Sequence, residues 1–257
     1  MNTIGLYTLV KKEVGRFANV YLQTLVAPVI TSLLFFCVFA LAFGGVNRTL
    51  PDFMGDLSYL EFLAPGLIMM TMVQNAFANS SSSIMIAKIQ GSIVDILMPP
   101  LSSAELFAGL VIGGILRGLL IGVFGALAIS LFVHLPVQNF GAILCFSILG
   151  TTLLSSLGVV GGMWAEKFDH ISAVTNFLVT PLTFLSGTFY SIRQLPEVWQ
   201  GVADYNPFFY MIDGFRAGFI GYAETDMVTG IIVLSAANIF LLGLGLALLH
   251  SGYKIKS

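Results

Sequence analysis

The fold class is decided by residues 106–165, which read LFAGLVIGGILRGLLIGVFGALAISLFVHLPVQNFGAILCFSILGTTLLSSLGVVGGMWA. Arg117 is the only residue in this stretch that is charged at neutral pH. A membrane-spanning helix needs roughly 20 mainly apolar residues. The stretch is therefore long enough for two spans, with His134 and Pro136 marking a turn near its middle.

Four further stretches have the same apolar character. Residues 17–47, 62–87, 171–192 and 227–253 contain no residue that is charged at neutral pH. Charged residues make up 9% of the sequence, against about 25% in soluble domains. We therefore predict a single all-α polytopic membrane domain over residues 1–257. Its six spans are expected at about 24–45, 62–87, 104–133, 140–165, 171–189 and 228–250.

The basic residues divide the loops and tails into two sets. One set carries most of them: Lys11, Lys12, Arg16, Lys88, Lys167, Lys254 and Lys256. The other set carries Arg48, Arg193 and Arg216 together with most of the acidic residues. Because cytoplasmic loops are enriched in Lys and Arg, we expect both termini in the cytoplasm, as an even number of spans requires.

Residues 1–23, before the first span, are amphipathic. Their apolar residues recur at helical spacing: Val10, Val14, Phe17 and Tyr21. Lys11, Lys12 and Arg16 fall elsewhere on the helical wheel. This pattern predicts a helix that lies in the lipid headgroup layer. The alternative is a frayed cytoplasmic leader that contributes only its basic charges.

A short helix is also predicted in the linker between the second and third spans. Ser92 and Asp95 have the spacing of a capping box, and Pro99 ends the helix. Its apolar residues are Ile93, Ile96, Leu97 and Met98. A capped helix of this kind on the cytoplasmic side can dock in a groove on a partner. The alternative is a turn that only reverses the chain.

The third span opens with a second capping box at Ser102 and Glu105. Small residues then recur every four positions: Gly114, Gly118, Gly122, Ala126 and Ser130. Such a stripe lets helices pack closely in lipid, so we interpret it as a packing surface, within the chain or between two copies. Arg117 is a candidate functional residue because a charge at membrane depth needs a polar partner. Backbone carbonyls, hydroxyls or water are the expected partners.

Residues 190–226 are too polar for a span and too aromatic for a solvated linker. Trp199, Tyr205 and Tyr210 suit a membrane interface, so we predict two short helices that dip into the outer leaflet. Asp213 and Arg216 are three residues apart and are expected to pair on one helix face.

The sequence lacks the motifs of an ATPase or a membrane enzyme. It has no phosphate-binding P-loop and no Gly-x-Ser-x-Gly, His-Glu-x-x-His or Cys-x-x-Cys. We predict no catalytic residue and no metal site, and we interpret Cys37 and Cys145 as packing residues. All acidic residues fall in loops or at span edges, whereas an ion-coupled transporter usually carries them near the midplane. These absences favour a transporter that is powered by another polypeptide.

Several sequence segments along the chain resemble a known family. They are PGLIMM (65–70), DILMPPLS (95–102), FDHIS (168–172), PLTFLSGTFYS (181–191) and the later pieces Leu195–Pro196, Trp199, Asn206–Pro207 and Gly214–Arg216. In this order and spacing the sequence resembles the ABC-2 family of exporter permeases, over essentially its full length. The family pattern implies a second acidic residue after Asp169, and His170 departs from it at that position.

The resemblance implies a half-transporter of the bacterial inner membrane. Two copies would pair, and each would bind a separate ATPase subunit that uses ATP and Mg²⁺. The N-terminal helix (Lys11, Arg16) and the helix at Ser92–Met98 would transmit ATP-driven closure. The outer segment would form re-entrant helices that gate the exit, with these residues: Pro196, Trp199, Asn206, Pro207, Asp213 and Arg216.

We therefore expect the membrane subunit of an ATP-driven exporter of amphipathic or hydrophobic cargo, of the drug, lipid or polysaccharide class, with no nucleic-acid partner. One alternative is a membrane scaffold that recruits a cytoplasmic partner without transport. The other is a lipid-processing enzyme that holds a phosphate with Arg117 or with Asp213 and Arg216. Substrate-dependent stimulation of a partner ATPase separates the exporter from the scaffold, and activity of the isolated chain on lipid would indicate the enzyme.

Overall fold

The computed structural model describes residues 2–43 and 57–254, which are mainly helical and contain no β-strand. Arg48 and Lys256, counted above in the two sets of basic residues, lie outside the described residues. The helices are α1 Thr3–Ala18, α2 Ala27–Phe43, α3 Tyr59–Ile89, α4 Ile93–Leu97, α5 Ser103–Ile129, α6 Phe140–Trp164, α7 Phe168–Val174, α8 Thr180–Phe184, α9 Glu197–Asp204, α10 Pro207–Ile220 and α11 Met227–Ser251. Two π-helical turns, Leu22–Val26 and Thr175–Val179, precede α2 and α8.

Five helical stretches of the described chain are long and apolar enough to cross a bilayer. They are Leu22–Ala42, Tyr59–Ile89, Ser103–Ile129, Phe140–Trp164 and Met227–Ser251. These stretches correspond to five of the six predicted spans. The remaining predicted span, residues 171–189, forms a helical run that begins with α7 and already ends at Phe184. By length and composition it does not qualify as a span.

The chain leaves this helical run through a turn made by small residues. Gly187 has a φ of +72°, a left-handed conformation that glycine adopts without a steric penalty. Thr188 Oγ1 donates to the carbonyl of Thr183 at 2.7 Å, and Asn206 Nδ2 donates to Ser186 Oγ at 2.8 Å. These bonds turn the chain back before the predicted end of the span.

Capping boxes start two of the spans. Ser102 N donates to Glu105 Oε2 at 2.8 Å, and Ser102 Oγ accepts from Glu105 N at 3.3 Å, which confirms the predicted box at the start of α5. A box that was not predicted, at Ser58 and Glu61, starts α3. Because it satisfies free N–H groups at the helix end, α3 begins before the predicted start at Phe62.

α3 lies at the centre of the helix assembly. It contacts α2, α5, α6 and α10, and most of its side chains are buried. α11 packs against α5, α6 and α10 at the periphery and exposes large apolar side chains such as Ile232 and Phe240. α1 contacts α5, which brings charged residues of α1 close to the centre.

Candidate functional site

A buried polar cluster joins α1 to α3. Glu13 is fully buried, accepts a hydrogen bond from Ser83 Oγ at 2.7 Å and forms an ion pair with Arg16 at 3.0 Å. Arg16 also donates to the main-chain and side-chain oxygens of Asn79 at 2.7 and 3.0 Å and to Ser82 Oγ at 3.1 Å. A buried charge is costly unless it is paired and hydrogen-bonded. These bonds therefore favour one fixed position of α1 against α3.

Two glycines of α5 allow α1 to approach closely. A Cβ atom at Gly109 would lie 2.5 Å from the side chain of Leu9, and one at Gly113 would lie 2.6 Å from Cβ of Glu13. Residues four apart lie on the same side of a helix, so the next residue in this row is Arg117. The face of α5 that contacts α1 therefore consists of two glycines, Gly109 and Gly113, and Arg117 follows them on the same side.

α1 packs with a face that matches the predicted one only in part. Its buried residues are Leu9, Glu13 and Phe17. Phe17 was predicted on the apolar face, whereas Tyr21, also predicted there, is exposed. The polar side chains of α3 explain the difference, because they satisfy Glu13 and Arg16 and so allow the charged edge of α1 to face protein. The position of α1 in the headgroup layer stays a prediction.

Arg117 is buried beside α3. Its Nη2 donates to Asn75 Oδ1 at 2.9 Å, and Asn75 Nδ2 donates to the carbonyl of Thr71 at 2.9 Å. The partner is thus a side-chain amide, which the sequence analysis did not anticipate. Nε of Arg117 is also buried and forms no hydrogen bond within the described residues. Only part of the guanidinium group is satisfied.

The polar residues of α3 were missed by the sequence analysis. Residues 74–83 read QNAFANSSSS, an unusually polar run inside a predicted span. Polar side chains at membrane depth usually face protein or a water-filled cavity and often mark functional sites. This run was therefore the signal that pointed to Asn75 and Asn79.

α4 forms where it was predicted, but its predicted capping box is wrong. The side chain of Ser92 accepts no capping hydrogen bond. Only the main chain closes the turn, with Asp95 N donating to the carbonyl of Ser92 at 3.1 Å. A capping residue normally has extended backbone angles, and the ψ of 7° at Ser92 departs from that geometry.

The apolar residues of α4 point in two directions. Ile93 packs against the apolar cluster between α1, α5 and α6. Val94 and Met98 are 55% and 76% exposed, and their spacing of four places them on the same side of the helix. We call this pair the α4 edge. The side chains of Ile96 and Leu97, predicted on the same face as Ile93, lie outside the described residues.

Arg216 connects α10 to two other parts of the chain. It is buried, and it donates from Nε to the carbonyl of Phe62 at 3.0 Å and from Nη2 to that of Gly187 at 2.7 Å. Its guanidinium carbon lies 3.7 Å from the centre of the Phe62 ring. Gly66 makes room for this contact: a Cβ there would lie 2.8 Å from Arg216 Nη2 and 2.7 Å from the carbonyl oxygen of Thr188.

Asp213 does not pair with Arg216, contrary to the prediction. It accepts hydrogen bonds from Glu224 N and Thr225 N, both at 2.9 Å, and from Thr225 Oγ1 at 2.8 Å. Each of the two charged residues instead binds main-chain groups elsewhere in the chain. Buried main-chain groups need such partners. Burial raises the pKa of the neighbouring Glu224 carboxyl, while the charge of Arg216 acts in the opposite direction.

The other predicted gate residues lie at the ends of α9 and α10. Pro196 immediately precedes α9, and Trp199 on α9 is exposed. Asn206 caps α10 by accepting from Phe208 N at 3.0 Å, and Pro207 takes the first helical position, where no N–H is needed. The two helices predicted for this segment are therefore present.

α10 is a buried helix that runs beside the start of α6. A Cβ at Gly214 would lie 2.2 Å from the ring of Phe146, and one at Gly218 would lie 3.1 Å from the carbonyl oxygen of Asn139. Asn139 N in turn donates to the carbonyl of Gly218 at 2.8 Å. α10 and α6 are therefore antiparallel and in direct backbone contact.

The small-residue stripe of α5 faces α3 and α6. A Cβ at Gly114 would lie 2.3 Å from Ser155 Oγ, and one at Gly118 would lie 3.0 Å from the carbonyl oxygen of Met72. Gly122 also meets the side chain of Met72. These three glycines are buried inside the chain, so they bring its own helices together.

Polar contacts also hold the ends of α3, α6 and α11 together. Lys88 Nζ donates to the carbonyl of Ala165 at 2.6 Å, which caps the C-terminus of α6. Glu166 and Lys254 form an ion pair at 2.6 Å, and this hydrogen bond lowers the pKa of the Glu166 carboxyl. His170, the residue that departs from the family pattern, accepts from Glu166 N at 3.3 Å.

These features define a polytopic helical membrane protein with a polar site between its central helices. The family described as ABC-2 type transporter matches residues 5–220. The chain therefore belongs to this family, as the resemblance indicated.

Relatives with descriptive names point the same way. The chain is 40% identical over 242 residues to the inner membrane transport permease YadH of Escherichia coli (strain K12), with 93% of each chain covered. The protein of that name from Shigella flexneri gives the same values. A stretch of 73 residues is 33% identical to nodulation protein J of Rhizobium leguminosarum bv. trifolii and covers 28% of each chain. The chain is a multi-pass permease of the ABC-2 transport family.

Proposed function

We propose that this chain is the membrane subunit of an ATP-driven exporter that moves an amphipathic or hydrophobic cargo out of the bacterial cytoplasm. A separate ATPase subunit binds ATP and Mg²⁺ and supplies the energy. The family membership supports this proposal, as does the lack of a P-loop in the sequence. The chain by itself is then not an enzyme.

The observation that carries the proposal is a polar edge on α3. Gln74, Asn75 and Ser82 are partly exposed, and Ala78 between them is exposed. Lipid-exposed faces of spans are apolar, as on α11, because lipid offers no hydrogen-bond partners. The α3 edge therefore faces water or a second protein surface. Two copies that meet along this edge would enclose a polar path for cargo.

We further propose six membrane passages, with both termini in the cytoplasm. The run from α7 to α8 would form the fifth passage, and the π-helical turn within it marks an irregularity of a kind that is frequent at functional sites. α10 would re-enter from the outer side, because it lies beside the first turns of α6 and carries the buried Asp213 and Arg216. The loop charges counted above support this orientation.

The α4 edge is the proposed contact with the ATPase. Its two apolar side chains, Val94 and Met98, stand out from the protein at the end of α3, and an exposed apolar pair suits a groove on a partner. α1 would follow the same movement, because its polar cluster ties it to α3. Lys11 on α1 is exposed and available to the ATPase.

The test is co-purification with the ATPase encoded beside the gene. Wild-type chain should hold the ATPase in detergent, and Val94→Asp with Met98→Asp should release it. The matched control is Val198→Asp with Val202→Asp, a similarly exposed valine pair on α9, which should leave the complex intact. Loss of the complex in both variants, or in neither, would contradict the assigned contact.

Transport is tested by the ATPase rate of the reconstituted pair. For an exporter, a subset of amphiphiles should stimulate the ATPase rate of the pair. The isolated chain should hydrolyse no ATP. A stable complex whose ATPase rate responds to no amphiphile, in vesicles that retain all compounds, would argue for a scaffold instead.

A further inference from the structure

Where α5 packs against α1 and α3, we extend the polar cluster of Glu13, Arg16 and Asn79 to include Arg117. Three nitrogen atoms of this extended cluster are buried hydrogen-bond donors without an acceptor in the described chain. They are Nε of Arg16, Nδ2 of Asn79 and Nε of Arg117. Asn79 is 0% exposed and Arg117 is 9% exposed. Leaving a buried donor unsatisfied is destabilising. Three of them within one cluster therefore indicate a place that is suited to an acceptor.

The three donors come from three helices that meet here. Nδ2 of Asn79 lies 3.5 Å from the position of a Cβ on Gly113, so this amide is directed toward α5. Arg117 follows one turn later on the same side of α5, and Arg16 of α1 is bonded to Asn79. The absence of a side chain at Gly113 keeps α5 close without covering the amide.

The cluster also carries an excess of positive charge. Glu13 pairs with Arg16, and Arg117 forms no ion pair within residues 2–43 and 57–254. Its hydrogen-bond partner, Asn75, is neutral. A bound anion would compensate the charge of Arg117 and accept from the free donors at the same time.

A phosphate fits these donors better than a carboxylate. Guanidinium groups bind both with paired hydrogen bonds, but donors on three different side chains are best met by a group with at least three oxygens. The cluster opens at the polar edge of α3, where Asn75 and Ser82 are partly exposed. A phosphate can therefore reach it from the proposed cargo path.

We propose that the polar cluster of Arg16, Asn79 and Arg117 binds the phosphate group of an amphiphilic cargo. This proposal rests on the export function proposed above, since it places the charged end of the cargo in the path. The apolar part of the same molecule would extend toward the pocket of about 640 Å³ between the start of α2 and the end of α5, which is lined by residues such as Leu25, Ile30 and Phe124.

The test uses the isolated permease in an uncharged detergent, with its melting temperature followed by tryptophan fluorescence. Dioctanoyl phosphatidic acid should raise the melting temperature in a saturable way, and dioctanoylglycerol, which lacks the phosphate, should not. Inorganic phosphate is compared with chloride at equal ionic strength. An equal shift with inorganic phosphate would overturn the amphiphilic cargo in favour of a free anion, and no shift with any probe would overturn the site.

Two variants connect the response to the cluster. Arg117→Gln should abolish the shift. Asn79→Asp places a carboxylate beside the guanidinium group of Arg16, which already binds Asn79, and at the position where the phosphate would bind. It should therefore raise the melting temperature without ligand and also abolish the shift. Asn79→Asp keeps the proposal testable if Arg117→Gln does not fold. A shift that survives in Asn79→Asp would overturn the proposal.

Two controls distinguish the site from general effects of charge. Asn238→Asp makes the same change on α11, where Nδ2 donates to the carbonyls of Leu149 and Leu234, and should lower the melting temperature. Lys167→Gln removes an exposed positive charge and should keep the full response. Because no ATPase is present, a negative result leaves the exporter proposal intact. Failure of the permease to hold its ATPase would leave the binding result unaffected.

Discussion

Replacing Gly66 by alanine tests the contact that α3 makes with the turn at Gly187 and Thr188 and with Arg216 of α10. The added Cβ would lie 2.7 Å from the carbonyl oxygen of Thr188 and 2.8 Å from Nη2 of Arg216. The first neighbour is main chain, which cannot rotate away. The second must move, and it then loses its hydrogen bond to the carbonyl of Gly187, which is 2.7 Å long in the structure.

The expected result is a net destabilisation of about 1–5 kcal/mol, which combines two costs and one gain. Overpacking a tight contact costs about 1–3 kcal/mol, and a weakened hydrogen bond to a charged group costs up to about 3 kcal/mol. Against these stands a gain of at most about 1 kcal/mol, because alanine is a better helix former than glycine. Reversible unfolding of the purified permease in mixed detergent and SDS micelles measures the difference.

Gly161→Ala on α6 is the matched control. Its Cβ would meet nothing closer than the Phe77 ring at 3.9 Å, so the protein should be as stable as wild type or slightly more stable. A second comparison combines Gly66→Ala with Arg216→Met. If alanine acts by displacing Arg216, the double variant should lose less stability than the sum of the single changes. Equal stability of Gly66→Ala and Gly161→Ala would refute the reasoning.

Three further predictions concern polar groups near helix ends. Glu224→Gln should stabilise the protein at pH 7. Burial raises the pKa of the Glu224 carboxyl above its usual 4.5, so its ionisation is less favourable in the folded protein than in the unfolded chain. Glutamine removes this cost. The gain should vanish below pH 4.5, and Glu197→Gln at an exposed position is the matched control. Lys88→Met should cost about 1–3 kcal/mol in the unfolding assay, through loss of charged hydrogen bonds to the C-terminus of α6, and Lys88→Arg should retain most of that stability. Lys254→Ala should have a small effect that disappears at high salt. The effect should also shrink as the pH falls below 4.5 and vanish below the lowered pKa of Glu166, where the folded protein binds the proton too.

The positions of the spans were accessible from the sequence because each is a long apolar run between polar signals. The capping box at Ser102 and Glu105 shows how a local pattern fixes a helix start, since its partners are three residues apart. The exception is the run from α7 to α8. Its early end depends on Asn206 and Arg216, which bind the turn at Ser186 and Gly187 from a later part of the chain.

The partners of the charged residues could not be read in the same way. Spacing alone suggested that Asp213 and Arg216 would pair. Instead, Arg216 binds the carbonyls of Phe62 and Gly187, and Asp213 binds the backbone N–H of Glu224. The buried side of α1 likewise depends on Asn79 and Ser83, far away in sequence. Local periodicity indicates which residues share a helix face, whereas the identity of a buried polar partner depends on tertiary packing.

The burial of α10 has a consequence for the order in which the protein assembles. α10 has 14 residues, about 21 Å of helix, against a hydrocarbon layer of about 30 Å. It therefore cannot be inserted as an independent span, and its aspartate and arginine oppose partition into lipid. α3 and α6 must already be associated before α10 finds its partners. In a chain truncated after α8, cysteine cross-linking should show α3 and α6 paired. If it does not, α10 is part of the folding nucleus rather than the last piece to dock.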